Sequence, residues 1–149
     1  MLIESFQNDK IKNVTKLLTD NRFRKKSKVF VVEGQQENER AMQYDFEPLE
    51  FFICENIFKG SLPDVKINYV SEKVYEKIAY RGSSEGIIGI YHAKEPLLSS
   101  FVPKENSTVI IVEGVEKPGN LGAILRSCEA FGVDALIVAD GKPIFTTPM

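Results

Sequence analysis

A chain of 149 residues, 43% hydrophobic and 27% charged, has the composition of a globular protein built as one ordinary domain or two small ones. No apolar run approaches the roughly 20 residues of a membrane span, and Met1 to Asp9 lacks a basic, apolar leader, so we expect a cytoplasmic protein. Cys54 and Cys128 stand apart from each other and from His92, the only histidine, which argues against a metal site and fits reduced thiols.

The formal charge of −2 conceals an asymmetry. Lys10 to Lys28 holds eight basic residues and one acid, Asp20, so that segment is +7 and the remainder −9. Within it Ile11, Val14, Leu17 and Leu18 recur at helical spacing and predict an amphipathic helix. The cluster Arg22-Phe23-Arg24-Lys25-Lys26 then reads as a polar turn before a strand, Val29 to Val32. Such a cluster is either solvated surface or an electrostatic footprint for a phosphate backbone. Because the rest of the chain is acidic, a footprint here is local, with Arg22, Arg24, Lys25, Lys26 and Lys28 as candidate contacts.

After Glu33-Gly34 the residues to Gln43 read as a helix. Leu49 to Cys54 is a dense apolar run and predicts a central strand. Lys59 to Pro63 is a turn, Ile67 to Val70 a short strand, and Ser71 to Tyr80 a helix with Val74, Ile78 and Ala79 inward. The glycine-bearing loop Arg81 to Gly86 precedes a strand, Ile87 to Tyr91. His92, at that strand's end without acidic or cysteine neighbours, reads as structural. Alternating strands and helices make residues 1–94 a compact α/β unit. Residues 95–107, with two prolines, three serines and few core residues, read as a linker.

The second domain, residues 108–149, opens on a β-branched strand, Thr108 to Val112. The Pro118-Gly119-Asn120 cluster breaks the chain, and Leu121, Ile124, Leu125, Cys128 and Phe131 then mark a helix that Gly132 stops. Ala135 to Ala139 is a second strand, completing a βαβ unit that wants a parallel sheet. At about 100° per residue, Arg126 lies almost opposite the apolar stripe among Gly122, Ala123 and Ala130. Solvated faces usually carry several long charged side chains, so either this small-residue face is covered by a partner or ligand, or Arg126 is an ordinary exposed arginine. Asn120 sits where an N-cap belongs, or its side chain serves a ligand beside Gly122 and Arg126.

Asn120-Leu121-Gly122-Ala123-Ile124-Leu125-Arg126, preceded by Glu113 and Lys117-Pro118-Gly119 and followed by Glu129-Ala130-Phe131-Gly132, resembles the first motif of the SpoU/TrmH family. The likeness spans about thirty residues with the N-x-G-x-x-x-R pattern intact, and neither a dinucleotide fingerprint nor a P-loop is present. It implies an S-adenosylmethionine-dependent RNA 2′-O-ribose methyltransferase, acting on transfer or ribosomal RNA, with a Rossmann-like SPOUT (α/β knot) catalytic domain. Lys10 to Glu39 is similar to the substrate-binding domain of many members, a small ribosomal-protein-like α/β sandwich that binds RNA. The resemblance makes Arg126, Asn120 and Glu113 the candidate catalytic residues. A guanidinium stays protonated in almost any site, so Arg126 reads as a bidentate grip on the target phosphate rather than a base. Asn120 would shape the loop or contact the ribose, and Glu113 would orient either one.

Forty-two residues from Thr108 supply two strands, one helix and a tail, too few to bury their own apolar faces. Members of the family continue for roughly another eighty to one hundred residues by ordinary domain size. That part holds the knot, nearly all of the S-adenosylmethionine pocket and the homodimer contacts, so the resemblance implies a truncated chain with unknown cofactor-binding residues and a doubtful dimer. Where members usually read Thr-Asp-Phe-Tyr-Asn-Pro-Asn, this chain reads Pro143-Ile144-Phe145-Thr146-Thr147-Pro148-Met149. Codons allowing that ending spell the family's seven residues one nucleotide out of register, so we expect a single-base frameshift. Two other classes stay open: a non-catalytic RNA-binding protein using the basic cluster, and a nucleotide-binding α/β protein using the Pro118 to Gly122 loop.

Overall fold

The computed structural model describes residues 2–61, 65–79, 85–94, 98–115 and 117–139, and the chain divides into two units, the first ending at Lys94. In the first, β1 (Leu2–Ile3) precedes α1 (Asp9–Thr19). Asn8 caps α1, its side chain accepting the Lys10 N–H at 3.0 Å, and Ile11, Val14 and Leu17 bury one face as their spacing predicts. The basic cluster then departs from expectation. It forms a helix, α2 (Asn21–Ser27), where a turn was predicted. The Asp20 carboxylate accepts the Phe23 N–H at 3.0 Å and starts the helix, and arginine and lysine propagate it well. Lys28, at φ 52° in the left-handed region, ends it and turns the chain into β2 (Val29–Glu33).

After α3 (Gln35–Gln43) come β3 (Pro48–Ile53), β4 (Ile67–Val70), α4 (Glu72–Ile78) and β5 (Ile87–His92). The sheet order is β1-β4-β3-β5-β2, with β1 and β3 parallel to β4, and β5 antiparallel to β3 and β2. β3 is central because it is apolar on both faces. Phe52 and Cys54 enter the core under α1 and α4, whereas Phe51 and Ile53 enter the core under α3. Burying each such aromatic contributes roughly 1.5–3 kcal/mol. β1, which no periodicity in the sequence announces, exists through its pairing with β4, Leu2 to Tyr69 and Ile3 to Val70. Tyr75 joins Val74 and Ile78 as a buried residue of α4, and Ala79, expected inward, is half-buried.

One buried polar network ties α3 to the sheet. Asn38, 1% exposed, donates to the Gly34 carbonyl at 2.5 Å and to the Val32 carbonyl at 3.3 Å. The Tyr91 hydroxyl donates to Asn38 Oδ1 at 2.9 Å, while its ring stacks on Phe30 with centroids 5.6 Å apart. Burial pushes the Tyr91 phenol up to about 12. Below pH 10 the phenol is neutral in both folded and unfolded chains, so its contribution is whole. Between pH 10 and about 12 only the unfolded chain ionises, so stability falls as pH rises, by up to roughly 2–3 kcal/mol. We therefore expect Tyr91→Phe to be less stable than wild type at pH 8, by about 1–2 kcal/mol for the lost hydrogen bond. Urea unfolding should show that gap closing between pH 10 and 12; a gap constant across that range would contradict the network.

The second unit contains β6 (Val109–Glu113), α5 (Pro118–Ala130) and β7 (Ala135–Ala139). β6 and β7 are parallel, Ile110 opposite Leu136, as a βαβ reading requires. The Asp134 carboxylate accepts the Thr108 N–H at 2.8 Å and locks their leading ends together. Leu121 and Cys128 of α5 are buried, but Leu125 is 46% exposed, Ile111 67% and Phe131 85%. Two strands and one helix cannot cover both faces of their own sheet, which leaves these side chains in water. Among the described residues no helix is long and apolar enough to cross a membrane, and no group of three or more His, Cys, Asp and Glu side chains could hold a metal ion. The Arg81 to Ser84 loop and the segment from Asp140 to Met149 lie outside the described residues.

Candidate nucleic-acid interface and motif loop

In the second unit the Val112-Glu113-Gly114 segment ends β6, with Gly114 at φ 65° making the turn toward α5. Ligands of parallel α/β units meet the carboxyl ends of the strands, and Glu113 stands there, exposed. The helix begins on Lys117 as N-cap, with no side-chain capping bond and Pro118 in its first turn. Asn120 is therefore inside the first turn, not at the cap predicted for it. Proline takes the position whose N–H needs no partner and shifts the helix start upstream of Asn120. The Asn120 side chain is exposed and free of a capping duty.

Arg126 lies six residues further along α5, about 9 Å of rise from Asn120. It is exposed, as are Ala123, Glu129 and Ala130, and nothing comes within 4 Å of a Cβ placed at Gly119 or Gly122. The expectation that this small-residue face is covered is not met by any described part of the unit. No hydrogen bond joins Glu113, Asn120 and Arg126 to one another among the described residues, so they share a loop and helix without forming a contact cluster. An open, mostly apolar groove of about 420 Å³ runs beside α5, lined by Ile110, Ala123, Ile124, Cys128 and Phe131 among others.

In the first unit the predicted cations separate into two groups. Arg22, Lys25, Lys26 and Lys28 are exposed on and after α2, where a phosphate backbone has access. Arg24 is not a surface contact: it is 6% exposed, and its Nη1 donates to the Leu17 carbonyl at the end of α1. Desolvation pulls its pKa below the ordinary guanidinium value, against the opposing pull of Asp20. Its physical duty is to satisfy α1's terminal carbonyl and pin α2 to α1. Nothing local in the sequence distinguishes it from Lys25, since only the packed helix pair decides which cation faces inward.

The structure also brings together cations that the linear reading kept apart. Lys73 and Lys77 of α4 lie over the Phe6 ring, at 5.8 and 4.2 Å from its centroid, and Lys16 of α1 lies 4.4 Å from that of Phe23.

A family model for the MRM3-like substrate binding domain matches residues 8–89, and one for the SpoU rRNA Methylase family matches residues 107–148. The chain is 27% identical over 141 residues to the 23S rRNA (guanosine(2553)-2'-O)-methyltransferase RlmP of Bacillus subtilis, covering 93% of this chain and 54% of RlmP. It superposes on the crystal structure of an RNA 2'-O ribose methyltransferase with a TM-score of 0.76 and 33% identity, over 95% of this chain and 56% of that one. An AdoMet-bound rRNA methyltransferase from Sinorhizobium meliloti, 21% identical, shares the fold with a TM-score of 0.79 over 99% of this chain and 63% of its own. The chain thus spans about half the length of the curated relative and of the first of these structures.

Proposed function

Since this chain belongs to the SpoU/TrmH methylase family and carries that family's MRM3-like substrate-binding domain, we propose that it serves in S-adenosylmethionine-dependent methylation of a ribose 2′-hydroxyl in ribosomal or transfer RNA. The observation that carries this reading is the pairing, in one chain, of a substrate-binding unit at residues 8–89 with a methylase segment at 107–148 that retains N-x-G-x-x-x-R. Such an enzyme works in the cytoplasm, where its RNA is made.

A 2′-hydroxyl is a weak nucleophile, so the reaction needs it held in line with the methyl donor and its proton accepted. Arg126 grips the phosphate beside the target ribose through two parallel N–H donors, which fixes the sugar and draws charge from it. Asn120, whose side chain is not spent on capping, contacts the ribose or holds the loop, and Glu113 at the strand end orients one of the two. Arg22, Lys25, Lys26 and Lys28 bind the RNA backbone.

S-adenosylmethionine supplies the activated methyl group. The described residues do not fit it by themselves: the groove beside α5 is apolar and open, and nothing lies within 4 Å of a Cβ placed at Gly114 or Gly119. The reading is tested on the full-length gene product with isotopically labelled S-adenosylmethionine and ribosomal or transfer RNA. Label recovered in ribose 2′-O-methyl nucleotides is expected; label on a base, or none, would overturn it.

A further inference from the structure

Resting on the RNA-directed reading above, we propose that the groove between α1 and α4 is a second phosphate-binding surface, which seats a single-stranded stretch of the RNA backbone apart from the α2 cluster. The groove encloses about 360 Å³ and is lined by Phe6, Lys12, Thr15, Lys16, Thr19 and Lys77, with Gln7 and Ile11 completing it. Three ammonium groups thus share one concavity with no carboxylate in its lining. Asp9, fully exposed, sits 3.9 Å from Lys12, and like the exposed Glu72 and Glu76 of α4 it is outside the lining. Such a pairing at the surface of a helix is worth little and does not neutralise the groove.

The cations come from two helices more than fifty residues apart in the chain, so this surface is not a by-product of one charged run. Lys12 and Lys16 stand one helical turn apart, about 5–6 Å between Cβ atoms, a spacing that lets adjacent phosphates be contacted in turn. The aromatic rings of Phe6 and Phe23 lie beneath Lys77 and Lys16, at 4.2 and 4.4 Å, and hold those ammonium groups over the surface instead of letting them sweep through solvent.

The hydroxyls favour RNA over DNA. Thr15 donates to the Ile11 carbonyl at 2.9 Å and Thr19 to the Thr15 carbonyl at 2.8 Å. Their oxygens therefore turn lone pairs outward and accept a hydrogen bond. A ribose 2′-hydroxyl can donate one, whereas a deoxyribose has no hydroxyl at that position.

The experiment measures the affinity of the full 149-residue chain for a single-stranded RNA across salt concentration, for wild type and for Lys12→Gln/Lys16→Gln/Lys77→Gln. Each phosphate contact contributes about 0.7 to the slope of log K against log salt on a single strand, so the triple variant should lose about 2 units of slope. Lys25→Gln/Lys26→Gln provides a variant of the other cluster. The thermal midpoint is recorded for both, and Lys12→Glu alone, at a side chain 55% exposed, repeats the test if the triple variant unfolds. An unchanged slope in the triple variant, with loss confined to the α2 variant, overturns this groove and leaves the RNA-directed reading standing. Wild type that binds no RNA overturns both. Equal affinity for DNA of the same sequence, or equal competition by polyglutamate, rejects RNA as the occupant.

Discussion

Replacing Arg126 by alanine should lower the proposed methyl transfer by the full-length gene product at least tenfold while leaving the fold as stable as before. The two halves of that expectation have separate physical grounds. Arg126 is exposed on α5, and no hydrogen bond or ion pair holds it among the described residues, so its removal deletes no packing. Alanine is also the better helix former, and the change in stability should stay within about 0.5 kcal/mol. The catalytic half follows from charge. A bidentate guanidinium–phosphate contact is worth roughly 1.5–3 kcal/mol, and a tenfold loss corresponds to about 1.4 kcal/mol of barrier. Arg126→Lys keeps the charge but not the planar fork, so it should recover only part of the rate. Turnover of the alanine variant above a tenth of wild type, measured with an unchanged melting temperature, would remove Arg126 from the mechanism.

Gly89→Ala will unfold the first unit or come close to it. Gly89 lies mid-strand in β5, between β2 and β3, and a Cβ there would stand 2.1 Å from Asn38 Oδ1, 2.6 Å from Tyr91 Cε2 and 2.8 Å from Phe51 Cε1. No single rotamer change relieves all three, because Asn38 and Tyr91 are held by one another and Phe51 is fully buried. Overpacking costs about 1–3 kcal/mol, and breaking the buried Asn38–Tyr91 hydrogen bond adds roughly another 1–3 kcal/mol. A loss of about 3 kcal/mol or more should lower the melting temperature of a unit this size by at least ~12 °C. Gly119→Ala on α5 is the control, since nothing lies within 4 Å of the added carbon and it should be neutral or slightly stabilising. A Gly89→Ala protein melting within a few degrees of wild type would mean that the α3 network is looser than these distances imply.

These expectations differ in how much of their basis is visible before folding. The N-x-G-x-x-x-R pattern names Arg126 from the chain alone, because a motif is a local arrangement of residue types. The role of Gly89 is invisible there. One glycine among Ile87, Ile88 and Ile90 looks like any small strand residue until Asn38, some fifty positions away, is folded against it. Asn120 failed at intermediate range: proline in the first turn moved the helix start by three residues, from a cap at Asn120 to one at Lys117, the kind of boundary shift that capping chemistry decides.

The sequence by itself determined what short-range periodicity and residue chemistry specify. It marked α1 through Ile11, Val14 and Leu17, the central strand β3 through its doubly apolar run, the parallel βαβ unit from Val109 to Ala139, and the motif that places the chain in its family. Tertiary structure alone decided which cation is interior, that Tyr75 belongs to the core, that two residues at the start of the chain form a strand, and that Lys77 stands beside Lys12 and Lys16. Each of these depends on partners dozens of residues distant, and only packing, not local pattern, sets the distance between such partners.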